Sequence, residues 1–282
     1  MLKNIIIIVA SIIAGYCTVA FFKTRQDKGV QMISNNQAKT SGKFLAKDKT
    51  GRSVILEWMK TDIQAPEYVA GMKSIAEIAS QAFTAVELQF LRAHPEAVMQ
   101  DDFLEQYVPF FEKGPEFVDW MAVESKLQSN MKQMHEMDLS AYGPDFLKPF
   151  FNDVYFFVVA KDQETQAPLG YVTFSIAPEY VDGDIKAFGI GVAPSAQNRG
   201  LGKLLMSSIF TIMPQIKRIF LSTRVTNDNA IRAYRAWGFT PDLDPVQEPN
   251  MKLIKEHWNF MEYKIESSDV LQKIAATFGT VR

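Results

Sequence analysis

The residues best suited to chemistry lie in one run, V-A-P-S-A-Q-N-R-G-L-G-K-L, from Val192 to Leu204. An apolar stretch, Ile185 to Val192, leads into it, and Leu204, Leu205, Ile209 and Ile212 follow at helical spacing until Pro214 stops the pattern. That order predicts strand, turn, helix. Gly200 and Gly202 fall at the first helical turn, where a missing side chain lets another group approach the backbone. The amides that open a helix have no intrahelical acceptor and lie at the positive end of its dipole, so those of Arg199 to Lys203 can bind a phosphate. Arg199 and Lys203 bring cations to the same end, as phosphate partners or as solvated side chains.

Around this run, apolar patterning predicts the elements that must hold it. Ser53 to Met59 reads as a strand. Met72, Ile75, Ile78, Phe83, Val86 and Leu91 have helical spacing, ended by His94-Pro95. Val154 to Ala160 and Leu169 to Ile176 form a hairpin, Asp182-Gly183-Asp184 turns into the strand ending at Val192, and Arg218 to Val225 is another strand. Asn227 to Trp237 is a helix and Trp258 to Ile265 a last strand.

The Val192 run resembles the pyrophosphate-binding loop of the GCN5-related N-acetyltransferase (GNAT) superfamily. That loop reads Gln or Arg, two residues, Gly, one residue, Gly or Ala, after a strand ending near Val-x-Pro, and Gln197, Gly200 and Gly202 fill it. The second half of the family pattern follows as V-T-N-D-N-A-I-R-A-Y-R-A-W-G-F, where Asn227, Ala230, Tyr234, Gly238 and Phe239 match. The resemblance implies the GNAT acyl-CoA N-acyltransferase fold, an α/β (α+β) class with a mixed, mostly antiparallel sheet flanked by helices. It implies acetyl-CoA as co-substrate, with no metal, and an amine acceptor, small molecule or protein, that attacks the thioester directly.

In that frame the strand ending at Val192 and the strand Ile219 to Val225 splay apart, and pantetheine bonds to backbone around Ile190 and Val192. The loop Gln197, Asn198, Arg199, Gly200, Leu201, Gly202 and Lys203 takes the pyrophosphate, and Asn227 contacts the pantetheine arm or supports it. Tyr234 matches the family tyrosine beside the sulfur and is the expected general acid. Its alternative is a packed aromatic. For the general base, Glu57, Glu179, Asp182 and Asp184 compete with a water relay, and none is assigned. Two other readings keep the fold: an acyl-CoA-binding module without efficient turnover, and a transferase for a different acyl group.

Thirty Lys and Arg against 32 Asp and Glu give a formal charge of -2, so no basic field recruits nucleic acid. The one cysteine, Cys17, excludes an intramolecular disulfide or a cysteine metal cluster. His94, His135 and His257 lack ligand spacing. The uncharged run Ile5 to Phe22 reads as an apolar helix anchoring the chain in a membrane. Lys23, Arg25 and Lys28 behind it favour a cytoplasmic domain. The alternative is a signal peptide cleaved near Ala20, with export. The span 23–52 reads as a polar tether, 53–266 as the GNAT domain with a helical insertion around 95–150, and 267–282 as a tail. Pro95 to Asp138 carries ten acids against three bases. They are either a rim that concentrates cationic amines or ordinary solvated faces. The oligomeric state stays open.

Overall fold

The computed structural model describes residues 40–61, 66–99, 104–136, 154–176, 181–242 and 256–280. Nine strands make one sheet: β1 (Ser41–Lys47), β2 (Ser53–Thr61), β3 (Val154–Asp162), β4 (Pro168–Ile176), β5 (Asp184–Val192), β6 (Arg218–Arg224), β7 (Thr240–Pro241), β8 (Trp258–Lys264) and β9 (Gly279–Thr280). Their spatial order is β7-β8-β6-β5-β4-β3-β2-β1-β9. Every neighbouring pair is antiparallel except β5 and β6. Among the described residues, five helices of six residues or more accompany it: α1 (Pro66–Ala93), α2 (Trp120–Glu136), α3 (Leu201–Ile212), α4 (Asp228–Ala236) and α5 (Val270–Ala275).

The central strands β3 and β4 are buried on both faces, which is why their sequences run as continuous apolar stretches rather than alternating. On one face Val158, Val172 and Ile219 pack against Leu205 and Ile209 of α3 and Leu271 of α5. On the other, Phe157, Val159 and Tyr171 meet Ile75, Ile78 and Ala79 of α1. Leu205 is fully buried, so Leu205→Ala should cost roughly 2–5 kcal/mol through lost transfer energy and the cavity left behind. The far end of α1 makes a second core with α2, where Leu88 and Leu91 face Val123, Leu127 and Met131.

Two sequence expectations change at the domain edges. The span 23–52, read as a tether, contains β1, which pairs with β2 along its whole length. The tail 267–282 contains α5 and β9. The helix packs on α3, and β9 pairs with Phe44 and Leu45 of β1. Phe44 explains both, because its ring stacks on Trp58 and on Phe278 at centroid distances of 6.4 and 6.2 Å. A short strand with few apolar residues is thus held by partners far away in sequence. The apolar run 5–22, expected as an anchoring helix, lies outside the described residues. Among those described, no helix is long and apolar enough to cross a membrane.

Candidate active site

The parallel strands β5 and β6 pair at only three positions, Asp184 with Arg218, Ile185 with Ile219, and Lys186 with Phe220. There the register of β5 on β4 also shifts: Ala187 faces Phe174 and Gly189 faces Thr173, leaving Phe188 as an extra residue. An extra residue bends and twists its strand. From Ala187 on, β5 keeps β4 on one edge and turns the other away from β6. The gap opens into a cleft of about 940 Å³ between α1, β5, β6, α3 and α4.

The structure brings most of the predicted residues to this cleft. Ile190, Val192, Gln197, Asn198, Gly200, Leu201, Gly202, Lys203, Asn227 and Tyr234 all line it. Asn198 and Gly200 hold left-handed backbone, with φ of 64° and 79°. Asn tolerates that conformation better than other side chains, and Gly adopts it freely. The first helical bonds come from the amides of Lys203 and Leu204 to the Gly200 carbonyl. Among the described residues the amides of Asn198, Arg199, Gly200, Leu201 and Gly202 donate to no backbone or side-chain acceptor. Five consecutive free donors at the start of a twelve-residue helix form a cradle for anionic oxygens. A Cβ on Gly202 would stand 3.1 Å from Cη2 of Trp237, so a larger residue would narrow the cleft.

Arg199 departs from expectation. Its side chain turns back to the β1–β2 turn, where Nε donates to Oδ2 of Asp48 at 2.6 Å, and it does not line the cleft. The reading of the Arg199 side chain as a phosphate partner is thereby corrected, while its backbone amide stays in the loop. The buried carboxylate is the nearer, less hydrated partner. Asn227 is used at both ends: Oδ1 accepts from the Ala230 amide at 3.3 Å and caps α4, while Nδ2 donates to Oγ1 of Thr223 at 3.0 Å. The cap ties β6 to α4 and so positions Tyr234, two turns further along the same face.

Tyr234 is 7% exposed. Its ring packs on Trp237 and Phe239 at 5.5 and 5.6 Å, and its hydroxyl makes no hydrogen bond among the described residues. Burial raises the phenol above its ordinary value, so the group is neutral and carries its proton at physiological pH.

None of the described base candidates reaches the cleft. Glu57 lies on β2, three strand spacings or about 14 Å from β5, and pairs with Lys43 and Lys161. Burial works to raise its carboxyl, and the two lysines outweigh that and hold it below the usual range. Asp184 pairs with Arg218 at 3.1 Å and the exposed Asp182 with Lys217 at 3.9 Å. Glu179 lies outside the described residues. None of the described acids of Pro95 to Asp138 lines the cleft, which favours solvated faces over an acceptor rim.

Two carboxylates at the cleft escaped the sequence reading. Glu87 on α1 makes a bidentate pair with Arg224 of β6, and both are almost wholly buried. The Arg224 guanidinium lies over Phe90 and Trp258, 4.2 and 4.3 Å from their centroids. Helical spacing puts Glu87 one turn after Phe83, on the apolar face, and a lone acid there was the available signal. Asp242 pairs with Arg218 at 2.8 Å and carries no comparable signal. Among the described residues no group of His, Cys, Asp and Glu could hold a metal.

No curated protein sequence matches the chain. Its fold is similar to solved structures at low identity. The PaiA N-acetyltransferase of Thermoplasma acidophilum in complex with coenzyme A has 13% identity over 74% of this chain and 98% of that one, with a TM-score of 0.40. A GNAT-family acetyltransferase from Desulfovibrio desulfuricans has 15% identity over 73% and 98%, with a TM-score of 0.36. A spermidine N-acetyltransferase variant from Vibrio cholerae has 19% identity over 53% and 77%, with a TM-score of 0.33. Residues 117–239 match the model of the acetyltransferase (GNAT) family. That span contains the split between β5 and β6, the free amides at the start of α3 and the Asn227–Tyr234 helix, so the part of the chain that is similar to the GNAT family of acetyltransferases is the part that builds the cleft.

Proposed function

We propose that the protein moves an acetyl group from acetyl-CoA to an amine by direct attack in a ternary complex. The observation that carries this is the strand split, which runs straight into five free amides with the Tyr234 hydroxyl on the same cleft. Acetyl-CoA bound there would supply an acetyl thioester open to attack by the amine nitrogen. The unpaired edge of β5 at Ile190 and Val192 bonds the pantetheine amides, and the amides from Asn198 to Gly202 hold the pyrophosphate. Lys203 adds charge to the same anion. Phe83 and Val86 of α1 cover the opposite wall and exclude water from the reacting centre. The attacking amine loses a proton to a water relay, and Tyr234 offers its own proton to the departing sulfur.

Release of CoA thiol across a panel of polyamines, aminoglycosides and peptide N-termini tests the reading. Amine-dependent release supports it, and its absence across the panel overturns it. One observation favours a second reading, an acyl-CoA-binding module without efficient turnover: the cleft carboxylates Glu87 and Asp242 are both committed to arginines. Tight CoA binding with no release in the same assay would select it. With acetyl-CoA as donor, the domain must face the compartment that holds it, so the expected anchor at 5–22 leaves the domain in the cytoplasm. Protease protection of fractionated membranes tests that orientation.

A further inference from the structure

Arg199 carries the second of the five free amides, yet both of its fixed contacts lie outside the cleft. Its carbonyl accepts from the Lys49 amide at 2.8 Å and its Nε donates to Asp48 at 2.6 Å. The Asp48 side chain is fully buried. Its other oxygen accepts from the Thr50 amide at 2.8 Å, the Thr50 hydroxyl at 2.7 Å and the Arg52 amide at 3.0 Å. One carboxylate therefore closes the β1–β2 turn and grips the loop. Burial works to raise this carboxyl, and these hydrogen bonds outweigh it and keep the group ionised well into acid. The loop needs such a grip, because the residues on either side of Arg199 are both left-handed, and a non-glycine residue there carries strain that its surroundings must sustain.

We propose that Asp48 and Arg199 are positioning residues for the phosphate cradle, holding the amides from Asn198 to Gly202 in their binding geometry before the co-substrate arrives, with Arg199 acting through its backbone. This rests on the reading that the loop holds the CoA phosphates. Without the grip, the loop must be ordered on binding. Freeing one or two residues weakens CoA binding on the order of ten- to a hundredfold.

The test titrates CoA into the full chain calorimetrically, with Asp48→Asn, Arg199→Lys and the double variant. Positioning predicts that each single variant loses affinity by a similar factor and that the double loses little more, because one device is removed once. KM for acetyl-CoA should rise, while kcat at saturation stays within about twofold. Should Asp48→Asn not fold, Arg199→Gln leaves the Thr50 and Arg52 bonds in place and must show the same loss. If Arg199→Lys keeps wild-type affinity, or Asp48→Asn lowers only the melting temperature and not the affinity, the proposal fails. A wild-type chain that does not bind CoA overturns the parent reading instead, a result the variants are not needed to see.

Discussion

Tyr234→Phe isolates one oxygen. The ring contacts to Trp237 and Phe239 are face and edge contacts that survive its removal, and no protein group among those described loses a hydrogen bond, so the fold should hold. What disappears is the proton offered to the CoA sulfur. Burial raises the phenol, while a thiol such as that of CoA has an acidity of about 8.5. Full proton transfer is then uphill, and the contribution is that of a hydrogen bond to a developing anion, about 1.5–3 kcal/mol. At 1.36 kcal/mol per decade, the rate falls roughly 10- to 150-fold. The assay is a single turnover with saturating acetyl-CoA, followed as released thiol, with CoA affinity measured separately and expected unchanged. Because the phenol is held protonated, any limb of the wild-type pH profile that belongs to it lies above the ordinary tyrosine value of 10.0. A Phe variant with the wild-type single-turnover rate and an unmoved alkaline limb would return Tyr234 to the core and refute this reasoning.

The remaining predictions are more local. Gly202→Glu forces a Cβ against Trp237 and sets a carboxylate among donors meant for phosphate; CoA affinity should drop on the order of a hundredfold or more, with the melting temperature moving no more than about 3 °C. Arg224→Met leaves Glu87 charged and buried and should cost about 3–5 kcal/mol in urea unfolding, whereas Arg224→Met with Glu87→Met should recover most of it. Burial raises the phenols of Tyr107, Tyr234 and Tyr263, so the folded chain keeps three protons that the unfolded chain releases near the ordinary tyrosine value. The stability they contribute is complete below that value and is lost as pH rises through the folded values. Absorbance at 295 nm should show at least three of the nine tyrosines ionising only with cooperative unfolding.

What the sequence determined is what short-range physics encodes. Gly200 and Gly202 before a helical stripe announce the amide cradle, Asn227 opens the helix that carries Tyr234, and the apolar runs of β3 and β4 announce a hairpin. Each signal is contained in a dozen residues. The tertiary structure decided the rest through contacts that no local window contains. Arg199 has the composition of a phosphate ligand, and only the arrival of Asp48, 151 residues away, redirects it. Glu87 and Arg224 are 137 residues apart and appear as a cleft wall only when α1 crosses β6. β1 and β9 carry too few apolar residues to declare themselves and become strands because the sheet edge supplies hydrogen bonds and the rings of Trp58 and Phe278 supply packing. The cleft follows from Phe188 as an extra residue in register, and register is a relation between two strands that neither sequence states alone.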